Sequence, residues 1–120
     1  MTKWSNVVEY ALSLGGVTAS TSYGEPSLKQ GRALLTRHRV ADNSIVIKGV
    51  DVDQREELLS KSPDVFFMED HYLGYDIVLA RLEHAQLDQL TPLIEHTWRQ
   101  LGGGSRRAAK AHARRATTAP

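Results

Sequence analysis

The chain has 120 residues, of which 41% are hydrophobic and 24% charged, the size and composition of one globular domain. It contains no cysteine, so disulfide bonds, thiolate nucleophiles and cysteine-based zinc sites are excluded. No apolar run reaches the ~18 residues of a membrane span, and no apolar signal-peptide core is present. These features predict a cytoplasmic protein without a membrane partner.

The N-terminal segment has the apolar spacing of an amphipathic helix that ends at two glycines, Gly15 and Gly16. Three strands are predicted after it, because β-branched residues recur there and turn-forming residues separate the runs. We place these strands at 17–24, 27–39 and 44–50, with Gly31 as a candidate bulge in the second.

A second helix is predicted from a capping-box pattern, Asp53 followed by Glu56, and it must end before Pro63. Two more strands are predicted at 65–69 and 75–82. The sequence DHYLG between them is short and ends in glycine, which predicts a hairpin turn.

The last predicted helix carries an apolar stripe from Leu87 to Leu101, and Pro92 predicts a kink or a restart near Thr91. The predicted order is α-β(3)-α-β(2)-α, an α+β domain with an antiparallel sheet and packed helices. The strand sequences IVI, VFFM and IVLA are continuously apolar, so both faces of the sheet should be covered. Helices or a second copy of the chain could do this, and three helices are few for two faces.

Charge is distributed unevenly along the chain. All 14 acidic residues precede Gly102 together with 10 of the 15 Lys and Arg residues, which gives residues 1–101 a charge of −4. The last nineteen residues carry +5 and no acid. We therefore expect a domain at 1–101 and a basic, disordered tail at 102–120.

The polar residues between the last two predicted strands could form a reactive cluster. Glu69 and His71 would share a strand face and Asp76 could approach across the turn, which permits metal binding or acid–base chemistry. The alternative is a solvated hairpin tip, which we favour because nothing in the sequence supplies a pocket. No catalytic residue, metal site or cofactor is predicted.

Basic residues give a stronger indication of a partner. Arg37, Arg39 and Lys48 lie on the predicted second and third strands, where Arg37-His38-Arg39 forms a compact cationic strand end. Together with the tail they could neutralise phosphates, whereas the alternative is a charged edge strand that resists aggregation. Lys29 and Arg32 belong to the same strands. The basic residues of the tail are Arg106, Arg107, Lys110, Arg114 and Arg115.

Four segments resemble the MmcQ/YjbR family of small bacterial proteins. They are the N-terminal helix, SYGEPSLKQGRALLTRHR, SPDVFFMEDHYLGYDIVLARL and the last helix ending in HTWRQL. The resemblance covers residues 4–101 and excludes the tail. The positions that carry it are Pro63, Phe66, Phe67, His71, Tyr72 and Trp98. The segment LKQGR departs from the family pattern, in which an aromatic residue often follows the proline and Gly-Lys comes later, so no role is carried over to its lysine.

The resemblance implies an α-β(3)-α-β(2)-α domain similar to type III secretion chaperones, without catalytic residues or a cofactor. Members of this family are often labelled DNA-binding. The function expected from sequence is therefore non-enzymatic DNA binding with little sequence specificity, because phosphate contacts carry no base information. The alternative is a protein-interaction or dimerisation module acting as a homodimer.

Overall fold

A computed structural model gives the fold and describes residues 1–103. The helices are α1 (Trp4–Ser13), α2 (Val52–Lys61) and α3 (Leu87–Gln100), and a short 3-10 helix spans Asp70–Tyr72. The strands are β1 (Val17–Ser22), β2 (Glu25–Gln30), β3 (Ala33–Arg39), β4 (Ser44–Lys48), β5 (Phe66–Phe67) and β6 (Ile77–Arg81). They form one antiparallel sheet in the order β1-β2-β3-β4-β6-β5. The predicted α+β class with an antiparallel sheet is confirmed.

The predicted single strand at 27–39 is wrong, because the chain reverses inside it. Gln30 pairs with Ala33, and Gly31 between them has a φ of 62°, which glycine adopts without steric cost. The residue expected to be a bulge is therefore a hairpin turn, while the actual register shift lies between Leu28 and Lys29. Four strands precede α2 rather than the predicted three.

Two local predictions about the helices are also corrected. Asp51 rather than Asp53 caps α2, since its Oδ1 accepts a hydrogen bond from the Gln54 N–H at 2.8 Å. The restart expected near Thr91 is absent, because α3 continues through Pro92. None of the helices within residues 1–103 is long and apolar enough to cross a bilayer.

One face of the sheet carries the hydrophobic core beneath the helices. Alternate residues of the central strands point to this face, which follows from the two-residue period of a strand. The helices contribute the apolar stripes that the sequence predicts, and Leu58 and Leu59 of α2 pack against the same core. The fully buried residues of this core include Val7, Ala11, Ile45, Ile47, Val78, Ala80, Leu90 and Ile94.

The second face of the central strands is covered as well, by the chain itself. Val46 and Leu79 are register partners on this face and are only 2% and 0% exposed. Arg37 pairs with Val46 in the sheet, and the 3-10 helix brings the Tyr72 hydroxyl to the Arg37 side chain. The expected double covering is thus present within the chain, and the connection at 68–76 lies on this face, where Tyr72 and Glu69 bind Arg37 and Arg39.

Candidate functional site

The second face of the sheet carries an open cavity of about 390 Å³. Strands β3, β4 and β6 supply its floor, the β1–β2 turn supplies one wall, and the 68–76 connection supplies the other. A volume in this range is typical of small-ligand sites in proteins. The floor residues are Leu34, Arg37, Lys48 and Ile77, and the wall residues are Tyr23, His71, Tyr72 and Tyr75.

Tyr23 is held at the cavity by a two-residue hairpin turn between β1 and β2. Tyr23 and Gly24 both have positive φ, 54° and 77°, which is the geometry of a type I′ turn. A bulky residue rarely adopts such a φ. The Tyr23 side chain is 90% exposed, and the Arg37 guanidinium carbon lies 5.3 Å from its ring centroid.

Arg37 is the centre of a hydrogen-bond network that fixes Tyr72. Its Nη1 donates to Glu25 Oε1 at 2.8 Å, and its Nη2 donates to the Tyr72 hydroxyl at 2.7 Å. The other carboxylate oxygen of Glu25 accepts from the Val40 N–H at 2.9 Å. The Arg37 side chain is only 13% exposed, so a partly buried carboxylate compensates its charge.

Arg39 fixes the same connection at its beginning. Its Nη2 donates to Glu69 Oε2 at 2.9 Å and lies 3.1 Å from Asp42 Oδ2. The guanidinium also lies 5.9 Å from the ring centroid of Tyr72. Burial opposes the charge, but the hydrogen bond to Glu69 and the charges of Asp42 and Glu69 outweigh it and raise the pKa of Arg39.

The structure therefore divides the predicted phosphate-binding residues. Arg37 and Arg39 are bound to carboxylates, and His38 between them points to the core face, where it stacks on Trp4 at 5.1 Å. Lys48 lines the cavity and has no salt bridge within residues 1–103. The tail residues Arg106, Arg107, Lys110, Arg114 and Arg115 lie outside the described residues.

Two further cations accompany Lys48. Lys29 pairs with Leu34, which lines the cavity together with Lys48, and Arg32 is exposed in the adjacent β2–β3 turn. Like Lys48, they form no salt bridge in the part of the chain that the structure describes. We call Lys29, Arg32 and Lys48 the basic rim.

The last described residue, Gly103, is anchored at the end of the sheet where β2 ends. Gly103 is buried against the Trp98 indole, and its N–H donates to the Trp98 carbonyl at 2.8 Å. The Gln30 amide, oriented to satisfy both of its polar atoms, accepts from the Gly103 N–H at 2.9 Å and donates to the Trp98 carbonyl at 3.1 Å. Because Gln30 follows Lys29 in β2, its side chain points to the opposite face of the sheet, which α3 covers. The tail therefore begins at the same end of the sheet as the rim but on the other face.

The connection between β5 and β6 differs from the short turn predicted at DHYLG. The two strands do pair as an antiparallel hairpin, but residues 68–76 form a longer connection that contains the 3-10 helix. Glu69 binds Arg39, while His71 lines the cavity and packs edge-on against Tyr72 with ring centroids 4.8 Å apart. Residues 1–103 contain no group of three His, Asp or Glu side chains placed to hold a metal ion.

Three residues that build the site were not identified from sequence: Tyr23, Tyr75 and Arg55. Arg55 is 7% exposed, and its Nη1 donates to the carbonyls of Tyr75 at 2.8 Å and Ile77 at 3.1 Å. These bonds hold the connection where it returns to β6. The spacing of Arg55 to Leu58 and Leu59 places it on the buried side of α2, and this spacing is the signal that could have identified it.

Comparison with known proteins finds no matching family model, no matching curated protein and no matching solved structure.

Proposed function

We propose that the protein binds nucleic acid through phosphate contacts made by the basic rim and the basic tail. One observation carries this proposal: the rim cations have no carboxylate partner within residues 1–103, and a tail with five cations and no acid begins at the same end of the sheet. Clustered Lys and Arg residues bind nucleic acid by releasing its condensed counterions. The proposed role is binding without catalysis, in the cytoplasm.

Arg37 and Arg39 have a different part in this proposal. A phosphate that approached either guanidinium would also meet the carboxylate bound to it, Glu25 or Glu69. Breaking the Arg37 pair would leave the partly buried Glu25 carboxylate without its partner, and breaking the Arg39 pair would release the 68–76 connection at Glu69. We therefore assign both arginines to the support of the cavity wall and assign the phosphate contacts to the rim and the tail.

The resemblance to the MmcQ/YjbR family supports the same function, and we propose membership of that family on the segments quoted above. The α+β class fits this assignment. The four strands before α2 differ from the order α-β(3)-α-β(2)-α, because β2 and β3 replace a single strand.

A salt titration tests the proposal. Fluorescence anisotropy with a labelled DNA duplex would measure the affinity of the full chain and of residues 1–103 between about 50 and 200 mM salt. Five tail contacts contribute ~ −4.5 to the slope of log K against log salt, and three rim contacts contribute ~ −2.7. The truncated chain is expected to keep only the smaller slope.

A matched pair of lysine variants distinguishes a phosphate contact made by the rim from the general effect of removing one positive charge. Lys48→Met should reduce the magnitude of the slope by about 0.9, the contribution of one duplex contact. Lys61→Met is the control, because Lys61 is exposed on α2 and paired with Glu57 at 2.9 Å. Equal slopes for the full and truncated chains, or no binding at the lowest salt concentration, would contradict the proposal.

As a second function we propose self-association through β1. This strand forms one edge of the sheet, and its sequence VTASTS contains neither a charge nor a proline. Natural proteins usually protect such edges with charges, prolines, bulges or very short strands. The other edge is protected in this way, since β5 has two residues. Antiparallel pairing of β1 with the β1 strand of a second copy would be self-complementary about a two-fold axis.

Sedimentation velocity at rising protein concentration tests this second function. A dimer should form in the wild-type chain, and Thr21→Lys should shift it to monomer because an exposed lysine on an edge strand opposes pairing with another edge. Thr21→Val is the control, since it keeps a β-branched side chain without charge. A wild-type chain that remains monomeric at about 100 μM would rule this function out.

A further inference from the structure

We infer that the cavity on the second face binds an unpaired nucleobase, which stacks on Tyr23 and Tyr75 while Lys48 contacts the adjoining phosphate. This inference rests on the proposed function and names the form of nucleic acid that fits, a single strand. A nucleotide consists of a planar base and an anionic phosphate. The cavity lining contains aromatic rings that can stack on the base and a lysine that can bind the phosphate.

The exposure of the aromatic residues is the first argument. Tyr23 and Tyr75 are 90% and 62% exposed, and they are the exposed members of the Phe, Trp and Tyr residues within 1–103. Both line the same cavity. Folding gains little from an aromatic ring left in water, whereas base stacking on such a ring contributes about 1–3 kcal/mol.

The backbone segments that carry the two rings are held in place before any ligand arrives. The type I′ turn fixes the backbone of Tyr23, and the buried Arg55 side chain holds the Tyr75 carbonyl at 2.8 Å. Arg37 fixes Tyr72, a third tyrosine of the cavity lining, through its hydroxyl. Such preorganisation reduces the conformational entropy lost on binding.

The cavity also supplies one cation and polar edges. Lys48 is the lining cation without a carboxylate partner in the described residues, since Arg37 is bound to Glu25. Its backbone is anchored by the Thr97 hydroxyl, which donates to the Lys48 carbonyl at 2.6 Å. His71 and the Tyr72 hydroxyl add groups that can hydrogen-bond to a base edge.

A paired and stacked base cannot enter such a cavity, because its faces are covered and its edge is occupied. The volume of about 390 Å³ lies in the range of small-ligand sites, and the cavity is too small for a duplex. Stacking is also tolerant of sequence, because every base has a π face. The inferred ligand is therefore single-stranded nucleic acid of any sequence.

Anisotropy with a labelled oligothymidylate of about twelve nucleotides, compared at one salt concentration with a duplex of equal length, tests this inference. The single strand should bind at least tenfold more tightly. Tyr23→Ala and Tyr75→Ala should each weaken single-strand binding about 5- to 150-fold, which corresponds to the loss of one stacked base. Tyr23→Phe and Tyr75→Phe keep the rings and should stay within about twofold of the wild type.

The possible failures are distinguishable. If both alanine variants bind the single strand like the wild type while the duplex still binds, the base site is wrong and the proposed function survives. If neither form of DNA binds, the proposed function fails as well.

Thymidine monophosphate should bind more than tenfold more weakly than the oligomer. Equal or tighter binding of this mononucleotide would overturn the inference and assign the cavity to a free nucleotide.

Discussion

Arg37 and Lys48 lie on neighbouring strands and line the same cavity, yet their surroundings separate their roles. Arg37 is 13% exposed and donates to Glu25 and to the Tyr72 hydroxyl, so its charge serves contacts within the protein. Lys48 has no carboxylate partner within residues 1–103. The roles of Arg37 and Lys48 can therefore be distinguished by measuring the stability of the protein and its binding to nucleic acid separately.

We predict opposite results for Arg37→Met and Lys48→Met. Arg37→Met leaves Glu25 without its ion-pair partner, so the free energy of unfolding should fall by about 2–4 kcal/mol while the salt slope stays the same. Lys48→Met should change the free energy of unfolding by less than about 0.5 kcal/mol but reduce the slope. Urea unfolding and the DNA salt titration measure the two effects. A reduced slope without lost stability in Arg37→Met would return that residue to the phosphate contacts.

Tyr10 provides a prediction for alkaline pH. Its hydroxyl donates to the Thr91 carbonyl at 3.3 Å and to Glu95 Oε1 at 3.4 Å, and burial together with the negative charge of Glu95 raises the pKa of Tyr10. Because the folded-state pKa lies above the unfolded value of about 10, this stabilisation is complete below pH 10 and is lost as pH rises through the folded pKa.

The variant Tyr10→Phe removes this ionisation. Its free energy of unfolding should therefore fall less steeply than that of the wild type above about pH 10. Urea unfolding at several pH values between 8 and 11 makes the comparison. Parallel pH profiles for the two proteins would contradict the assignment.

At the level of elements, helices were easier to predict from sequence than the strands of the site. The three-and-four spacing of α1 and α3 identifies both helices and the sides that they bury. The turn at Gly31-Arg32 escaped prediction because it lacks the Asn-Gly or Asp-Gly signal, and the flanking sequences SLKQ and ALL contain no β-branched or aromatic residue that would mark two separate strands. A β-bulge within one strand and a hairpin turn between two strands therefore cannot be distinguished from this sequence.

The fold of the 68–76 connection could not be predicted from its own sequence. Its position depends on Arg37, Arg39 and Arg55, which lie on other elements and donate hydrogen bonds to it. A sequence pattern reports local preference, whereas these contacts join distant parts of the chain. The cavity itself was missed for this reason, although Lys48 and His71 were both noted as polar candidates.

Arg55 gives the prediction at this scale. Arg55→Met replaces the buried guanidinium with an apolar chain of similar length, and the carbonyls of Tyr75 and Ile77 lose their charged donor. The free energy of unfolding should fall by about 2 kcal/mol, and amide hydrogen exchange should accelerate across 69–76. Lys61→Met on the same helix is the control. Unchanged exchange in Arg55→Met would show that Arg55 does not hold this connection.

At the level of the whole molecule, composition predicts the charge asymmetry but not where the two charged parts meet. The packing of the domain extends past the expected boundary at Leu101, because Gly103 lies on Trp98 and bonds to the Gln30 amide. The tail is therefore attached at the end of the sheet that carries the basic rim, on the face covered by α3. Only the folded arrangement contains this information.

We predict that chains truncated after Leu101 and after Gly103 differ in stability. A chain ending at Gly103 should match the full chain in stability within about 0.5 kcal/mol. A chain ending at Leu101 loses the Gly103 hydrogen bonds and uncovers the Trp98 indole, so its free energy of unfolding should fall by about 1 kcal/mol. Thermal and urea unfolding compare the two. Equal stabilities would place the domain boundary at Leu101 after all.

The contact between Gly103 and Trp98 also has a practical consequence. No side chain fits at Gly103, because an added Cβ would overlap the indole ring. The Trp98 Nε1 donates to the Gly15 carbonyl at 2.9 Å, so the fluorophore is fixed in the domain while the start of the tail lies on its face. Capture of the tail by a polyanion should therefore shift indole emission, and titration could be followed optically on the unlabelled protein.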